Sequence, residues 1–226
     1  MFVSEGNRFL RDHCPLRKRR KEARPDEIIE AARAVFVERG FAAAKVDEIA
    51  TRAGASKGTV YLYFPTKEAL FEAVMRVNLL SIIESSAASI MADDTASAPA
   101  QLRMVLETFY REFVATDRKK LMHLMIAEGP HFPSLLDFYH REVVSRGMML
   151  LTHLVERGMR RGEFEPHGME RYPKLILGPA LMAALYGSLF AEHDPIDVED
   201  YAQTHIASVM RALGVRGEAG ALVRGA

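Results

Sequence analysis

AGASKGTVYLYFPTKEAL, Ala53 to Leu70, places two glycines, a serine, a lysine and two tyrosines between two hydrophobic helical patterns. Upstream, Ile49, Ala50 and Ala53 share one face of a short helix over about Val46 to Ala53. Its first turn holds Asp47 and Glu48, where acids meet the positive end of the helix dipole. Gly54 ends that helix. Ser56 then suits the cap of a second short helix, Lys57 to Tyr63, which Pro65 and the residue before it terminate. Thr66 caps the next, whose Leu70, Phe71, Val74 and Met75 turn inward.

Two short helices joined by Gly54-Ala55-Ser56 have the proportions of a helix-turn-helix. In that motif the second helix enters a DNA major groove while the first braces it across the backbone. The polar residues then serve a surface outside the protein. Lys57, Tyr63 and Lys67 suit phosphate, and Thr59 and Tyr61 suit base edges. Ser56 opens the helix, and Gly58 lets the backbone come close. Val60 and Phe64, one helical turn apart, face the core. The competing reading makes the tyrosines half-buried aromatics and the lysines solvated charges.

Toward the N-terminus, Pro25-Asp26-Glu27 is a favourable first turn, and Ile28, Ile29, Ala32, Val35 and Phe36 follow at helical spacing until Gly40 stops the run. Residues 1–24 show no period and include RKRRKEAR, Arg17 to Arg24, so they read as a flexible basic arm, either a DNA contact or a solvated tail.

The chain has 226 residues, 49% of them hydrophobic, with a formal net charge of zero. That allows a substantial core and argues against a general polyanion coat. Neutrality hides opposed regions, since residues 1–75 carry 14 Lys and Arg against 11 Asp and Glu. A single cysteine, Cys14, excludes an intrachain disulfide framework and fits a reducing cytoplasm. No secretory signal is recognisable. The uncharged run 175–191, interrupted by Gly178 and Pro179, falls short of the ~20 residues of a membrane span. A cytoplasmic protein without a membrane partner is expected, and with no sustained period of two its fold class is all-α.

Ile28-Ile29, Ala31-Ala32, Phe36, Arg39-Gly40-Phe41, Val46, Ile49-Ala50, the run Ala53 to Tyr61, Tyr63-Phe64, Lys67-Glu68 and Leu70 together resemble the DNA-binding domain of the TetR family of bacterial transcriptional regulators. The resemblance covers residues 25–75. It implies about nine helices: a DNA-binding domain over 25–71 and a C-terminal domain over 72–215 that dimerises and binds a small effector, before a flexible tail, 216–226. The implied function is a regulator, usually a repressor, that binds double-stranded operator DNA as a homodimer and needs no cofactor. One departure stands out. The family caps its second helix with Ser or Thr, whereas this chain reads Ala43-Ala44-Lys45, leaving Lys45 as a candidate phosphate contact at a capping loss of ~1 kcal/mol.

In the C-terminal half, DDTASAP, Asp93 to Pro99, reads as a linker, and a long helix spans about Ser134 to Arg161. Leu181, Leu185, Leu189, Ile206, Val209 and Met210, on the last two helices, are expected in a dimer interface by the same resemblance. Candidate effector-pocket residues are Phe109, Phe113, Met122, Met125, Phe138, Met149, His153 and Tyr186, because methionine and aromatics make adaptable apolar sites. Ordinary core packing uses the same residues. The scarcity of acids within these stripes points to a neutral or anionic hydrophobic effector, acting on the reading head through the fourth helix. The alternative is a helical-bundle metal enzyme built on Glu128-x-x-His131 and Asp137-x-x-His140, but Gly129-Pro130 breaks the helix the first pair requires.

Overall fold

In this computed structural model, which describes residues 15–93, 95–166 and 168–215, the helical periodicity resolves into nine helices, with no strand among the described residues. They are α1 (Pro15–Ala43), α2 (Val46–Arg52), α3 (Lys57–Tyr63), α4 (Lys67–Ala92), α5 (98–114), α6 (Lys119–Glu128), α7 (133–160), α8 (Lys174–Leu189) and α9 (Val198–Ala212). π-helical turns interrupt α4 at Arg76–Leu80 and α7 at His140–Val144, and a third ends α5 at Tyr110–Val114.

The caps are those the sequence expects. Ser56 accepts a hydrogen bond from the Thr59 N–H, Thr66 accepts one from the Ala69 N–H, and Lys45 makes no side-chain cap for α2. The helix stop at Gly40 is also present, with φ 77° and ψ 164° breaking the helical angles of α1.

One reading changes. α1 begins at Pro15, with Pro25 inside it, so residues 15–24 of the expected arm are helical. All of Leu16 to Arg24 are strong helix formers, and a sequence without an apolar stripe shows no period, because periodicity reports an apolar face and not helicity. Residues 1–14, with Cys14, and the tail 216–226 lie outside the described residues. The linker reading sharpens as well, since Asp93 and Thr95 to Pro99 are held in place by hydrogen bonds. Asp93 Oδ1 accepts from the Thr95 and Ala96 N–H groups, and the Ala98 N–H donates to Glu163 Oε2 at 2.6 Å. Buried Arg157 donates to the Ala96 carbonyl and to Gln101, whose own amide reaches the Asp93 carbonyl.

Phe36, Phe41 and Phe71 pack with ring centroids 5.2–5.7 Å apart, and Phe132, just before α7, sets its ring on Phe41 at 4.9 Å. This aromatic knot joins the core of the first three helices to the larger C-terminal bundle. α4 is long and apolar enough by composition to cross a membrane, yet its Leu70, Phe71, Val74, Met75 and Leu79 are buried in the same core as α1 residues. A second core, built around Leu102, Leu106, Leu154, Ile206, Val209 and Met210, holds α5, α7 and α9 together.

Between α5 and α9 the Tyr110 hydroxyl meets His205 Nδ1 at 2.9 Å, both side chains buried. Burial pushes His205 below its ordinary value, and His123 likewise. As pH falls below about 6.5 the unfolded chain takes up these protons before the folded one, so stability declines in that window. A His205→Gln variant is expected to show a shallower decline in urea midpoint between pH 7 and pH 5. An unchanged slope would assign the effect elsewhere.

Candidate functional site

α1 and α2 form a rigid brace for α3. Arg52, at the end of α2, makes a bidentate pair with Glu38 of α1 at 2.7 and 2.8 Å and also reaches Glu48 at 2.6 Å. Val60 is buried against this pair of helices, while the opposite side of α3 faces out.

Lys57, Gly58 and Tyr61 of α3 are exposed, as is Lys45 at the N-terminus of α2. Lys57 lies 2.8 Å from Asp47, an exposed surface pair of the kind that contributes little to stability. Ser56 and Thr59 share a 2.8 Å hydroxyl hydrogen bond in the cap, so part of their polarity serves α3 itself. Tyr63 is half-buried against the core beside Phe64. Leu62, absent from the sequence-based candidates, is 77% exposed. Its signal lay in position: two residues after a core valine on a helix, a side chain points nearly away from the core.

Lys67, expected at a phosphate, is turned toward the protein's own backbone in this structure. Its ammonium donates to the carbonyls of Phe41 (2.8 Å), Ala42 (3.2 Å) and Ala44 (3.3 Å) and sits 4.5 Å from the Phe41 ring centroid. The carboxyl end of α1 offers this ammonium partial negative charge. The same corner is gripped from the other side. Glu128, the last residue of α6, accepts the Ala42 N–H at 2.9 Å and lies against Gly40, where a Cβ atom would stand 2.0 Å from Oε1.

A cavity of about 190 Å³ lies among α4, α5, α6, α7 and α8. All three π-helical turns contribute to it, through Leu79, Phe113, Val143 and Val144, and such turns recur at functional sites. The rest of its wall is almost wholly hydrocarbon. Its polar side chains are Ser86, which donates to the Ile82 carbonyl, and Tyr139, whose hydroxyl burial pushes up to about 12 and so keeps neutral.

Of the pocket candidates, Phe109, Phe113 and Met122 line this cavity. Met125 and Phe138 are buried in the core instead; Met125 packs near Phe41 and Phe132, and Arg76 stacks 5.0 Å from the Phe138 ring centroid. Met149 and His153 point to solvent from α7, and Tyr186 bonds Asp194 at 2.6 Å near the end of α8. Of the dimer candidates, Ile206, Val209 and Met210 are at most 3% exposed and belong to the protomer's own core. Leu181 and Leu189 are exposed, and Leu185 is half-buried. Glu128 is committed to Ala42, and among the described residues no cluster of three or more His, Cys, Asp or Glu could hold a metal ion.

Residues 28–74 match the family model for bacterial regulatory proteins of the tetR family, and residues 92–209 match the tetracyclin repressor-like C-terminal domain. The HTH-type transcriptional activator FasR of Mycolicibacterium smegmatis is 33% identical over 112 residues, which cover 50% of this chain and 45% of that protein. The fatty acid metabolism regulator protein of Bacillus subtilis is 33% identical over 92 residues, 40% of this chain and 46% of that one. The chain thus spans about half the length, or less, of these relatives. Among solved structures, a TetR-family regulator from Mesorhizobium loti superposes with a TM-score of 0.68 at 25% identity over 86% of this chain and 97% of that one. FadR from Bacillus subtilis, solved in complex with stearoyl-CoA, superposes with a TM-score of 0.64 at 20% identity over 84% and 98%, a likeness of fold.

Proposed function

This chain belongs to the TetR family of bacterial regulatory proteins, a DNA-binding transcriptional regulator, and from that premise we propose that it is a cytoplasmic, homodimeric repressor released from a palindromic operator by a small hydrophobic effector. The observation that carries this reading is the sharing of helices between the cavity and the reading head. α4 sends Leu79 and Ile82 into the cavity and anchors Lys67 and Leu70 in the head. α6 sends Met122 into the cavity and ends in Glu128 on the α1 corner. A ligand that fits one arrangement of these helices better than another therefore shifts the position of α3, and only such a differential can do so. The hydrocarbon wall and neutral Tyr139 favour an apolar body with one hydrogen-bonding group. The Bacillus subtilis relative named for fatty-acid metabolism and the Bacillus subtilis FadR structure with stearoyl-CoA support the same class. Pairing of protomers falls to the outer face of α8, where Leu181, Met182, Leu189 and Phe190 are exposed.

Selection of bound DNA from a random pool tests the reading. A two-fold motif with half-sites about one helical turn apart, ~34 Å, supports the dimer. Failure to enrich any palindrome rejects it. A reporter driven by the selected operator gives the sign. Expression that rises on deleting the protein supports repression, and expression that falls makes it an activator, as FasR is named.

A further inference from the structure

We infer that Leu62 is a specificity-determining residue that reads the 5-methyl group of a thymine in each operator half-site. The inference rests on α3 being the DNA-reading helix, and on the arrangement of its seven residues. With roughly 100° between successive residues, Gly58 lies about 160° and Leu62 about 200° around the helix from Val60, the residue that faces the core. Val60 is 1% exposed and Leu62 is 77% exposed. The line that points furthest from the protein is therefore Gly58 followed, one turn later, by Leu62. Tyr61, 42% exposed, flanks it.

Gly58 presents no side chain, and a Cβ added there would find only Ser56 Oγ, at 3.8 Å. That end of the helix can come close to another surface, which brings Leu62 to the bottom of whatever groove α3 enters. Leu62 is thus an isobutyl group at the leading edge of a surface that also exposes Ser56, Lys57 with its partner Asp47, Tyr61 and, just before α2, Lys45, which leaves the surface with more basic than acidic side chains. The complementary partner carries anions at its rims and an apolar group at its floor. A DNA major groove has phosphates at its rims, and the thymine 5-methyl is the apolar group on its floor. No polar atom of Leu62 is available to read a donor or acceptor, so its discrimination must come from hydrocarbon contact.

The test uses the full chain, the selected operator, and duplexes in which one thymine at a time, in both half-sites, is replaced by deoxyuridine, which lacks only the methyl. Affinity is read by fluorescence anisotropy for the native protein and for Leu62→Ala, with a thermal melt to confirm that the variant keeps its fold. One thymine position is expected at which deoxyuridine weakens native binding about fourfold per half-site, the value of one methyl-sized group withdrawn from water. At that position Leu62→Ala binds both duplexes equally. If no thymine shows a methyl dependence that Leu62→Ala abolishes, the inference is overturned even though the operator is bound. If the native protein binds no selected duplex, the DNA-reading assignment itself fails, a result distinct from the first.

Discussion

Gly40→Ala is expected to destabilise the protein by about 3–5 kcal/mol in urea denaturation, a large effect for a single methyl. Two separate costs combine. The backbone at φ 77°, ψ 164° lies in a region essentially reserved for glycine, where an L side chain adds about 1–3 kcal/mol of strain. The new Cβ would also stand 2.0 Å from Glu128 Oε1, so the carboxylate must leave, and the Ala42 N–H loses a charge-assisted partner worth about 1.5–3 kcal/mol. A double-mutant cycle separates these costs. Glu128→Ala removes the obstructing carboxylate, so in the double variant the clash vanishes while the backbone strain remains, and the two single penalties sum to more than the measured total. Strict additivity would mean that the two residues do not meet. Because Glu128 ends the helix that carries Met122 into the cavity, Glu128→Ala should also blunt the response of operator affinity to effector while sparing much of the affinity itself.

The sequence identified Gly40 as a helix stop, because glycine after a periodic apolar run has a local meaning. It could not identify Glu128 as the residue lying against it, since the two are brought together only by the packing of α6 on α1. The same division runs through the rest of the molecule. α2, α3 and the start of α4 were legible because caps, a proline exit and a short period are local signals, and the family motif lies within them. The basic helical stretch Pro15–Arg24 was not, since a run with no apolar stripe leaves no period to read. Phe109, Phe113 and Met122 line the cavity, whereas Met125 and Phe138 are buried in the core. Methionine and phenylalanine serve a wall and a core alike, and which one depends on where the helices leave a gap. Around this cavity the gap coincides with three π-helical turns, whose extra residue per turn no hydrophobic pattern announces.

Lys67 poses the sharpest form of that ambiguity, because an ammonium at a helix start satisfies phosphate and carbonyl oxygens equally well. Lys67→Met keeps most of the stem and removes the charge. It should lower stability by about 2–3 kcal/mol, as the carbonyls of Phe41, Ala42 and Ala44 lose a charged donor and the Phe41 ring loses its cation. It should leave the salt dependence of operator binding unchanged. Lys57→Ala is expected to do the reverse, with an unfolding midpoint close to native and a slope of log affinity against log salt shallower by about 0.9 for each phosphate no longer neutralised, or nearly 2 for a dimer on two half-sites. Lys45→Ala should behave like Lys57→Ala, since neither side chain caps a helix. The opposite outcome for Lys67, a flattened slope with an undisturbed midpoint, would show that the carbonyl clasp is dispensable and that its ammonium turns outward when DNA arrives. Two lysines of one motif thus separate by what they hold: Lys57 is tied to an exposed carboxylate that a phosphate can replace, while Lys67 closes the end of α1, on which the placement of α3 depends.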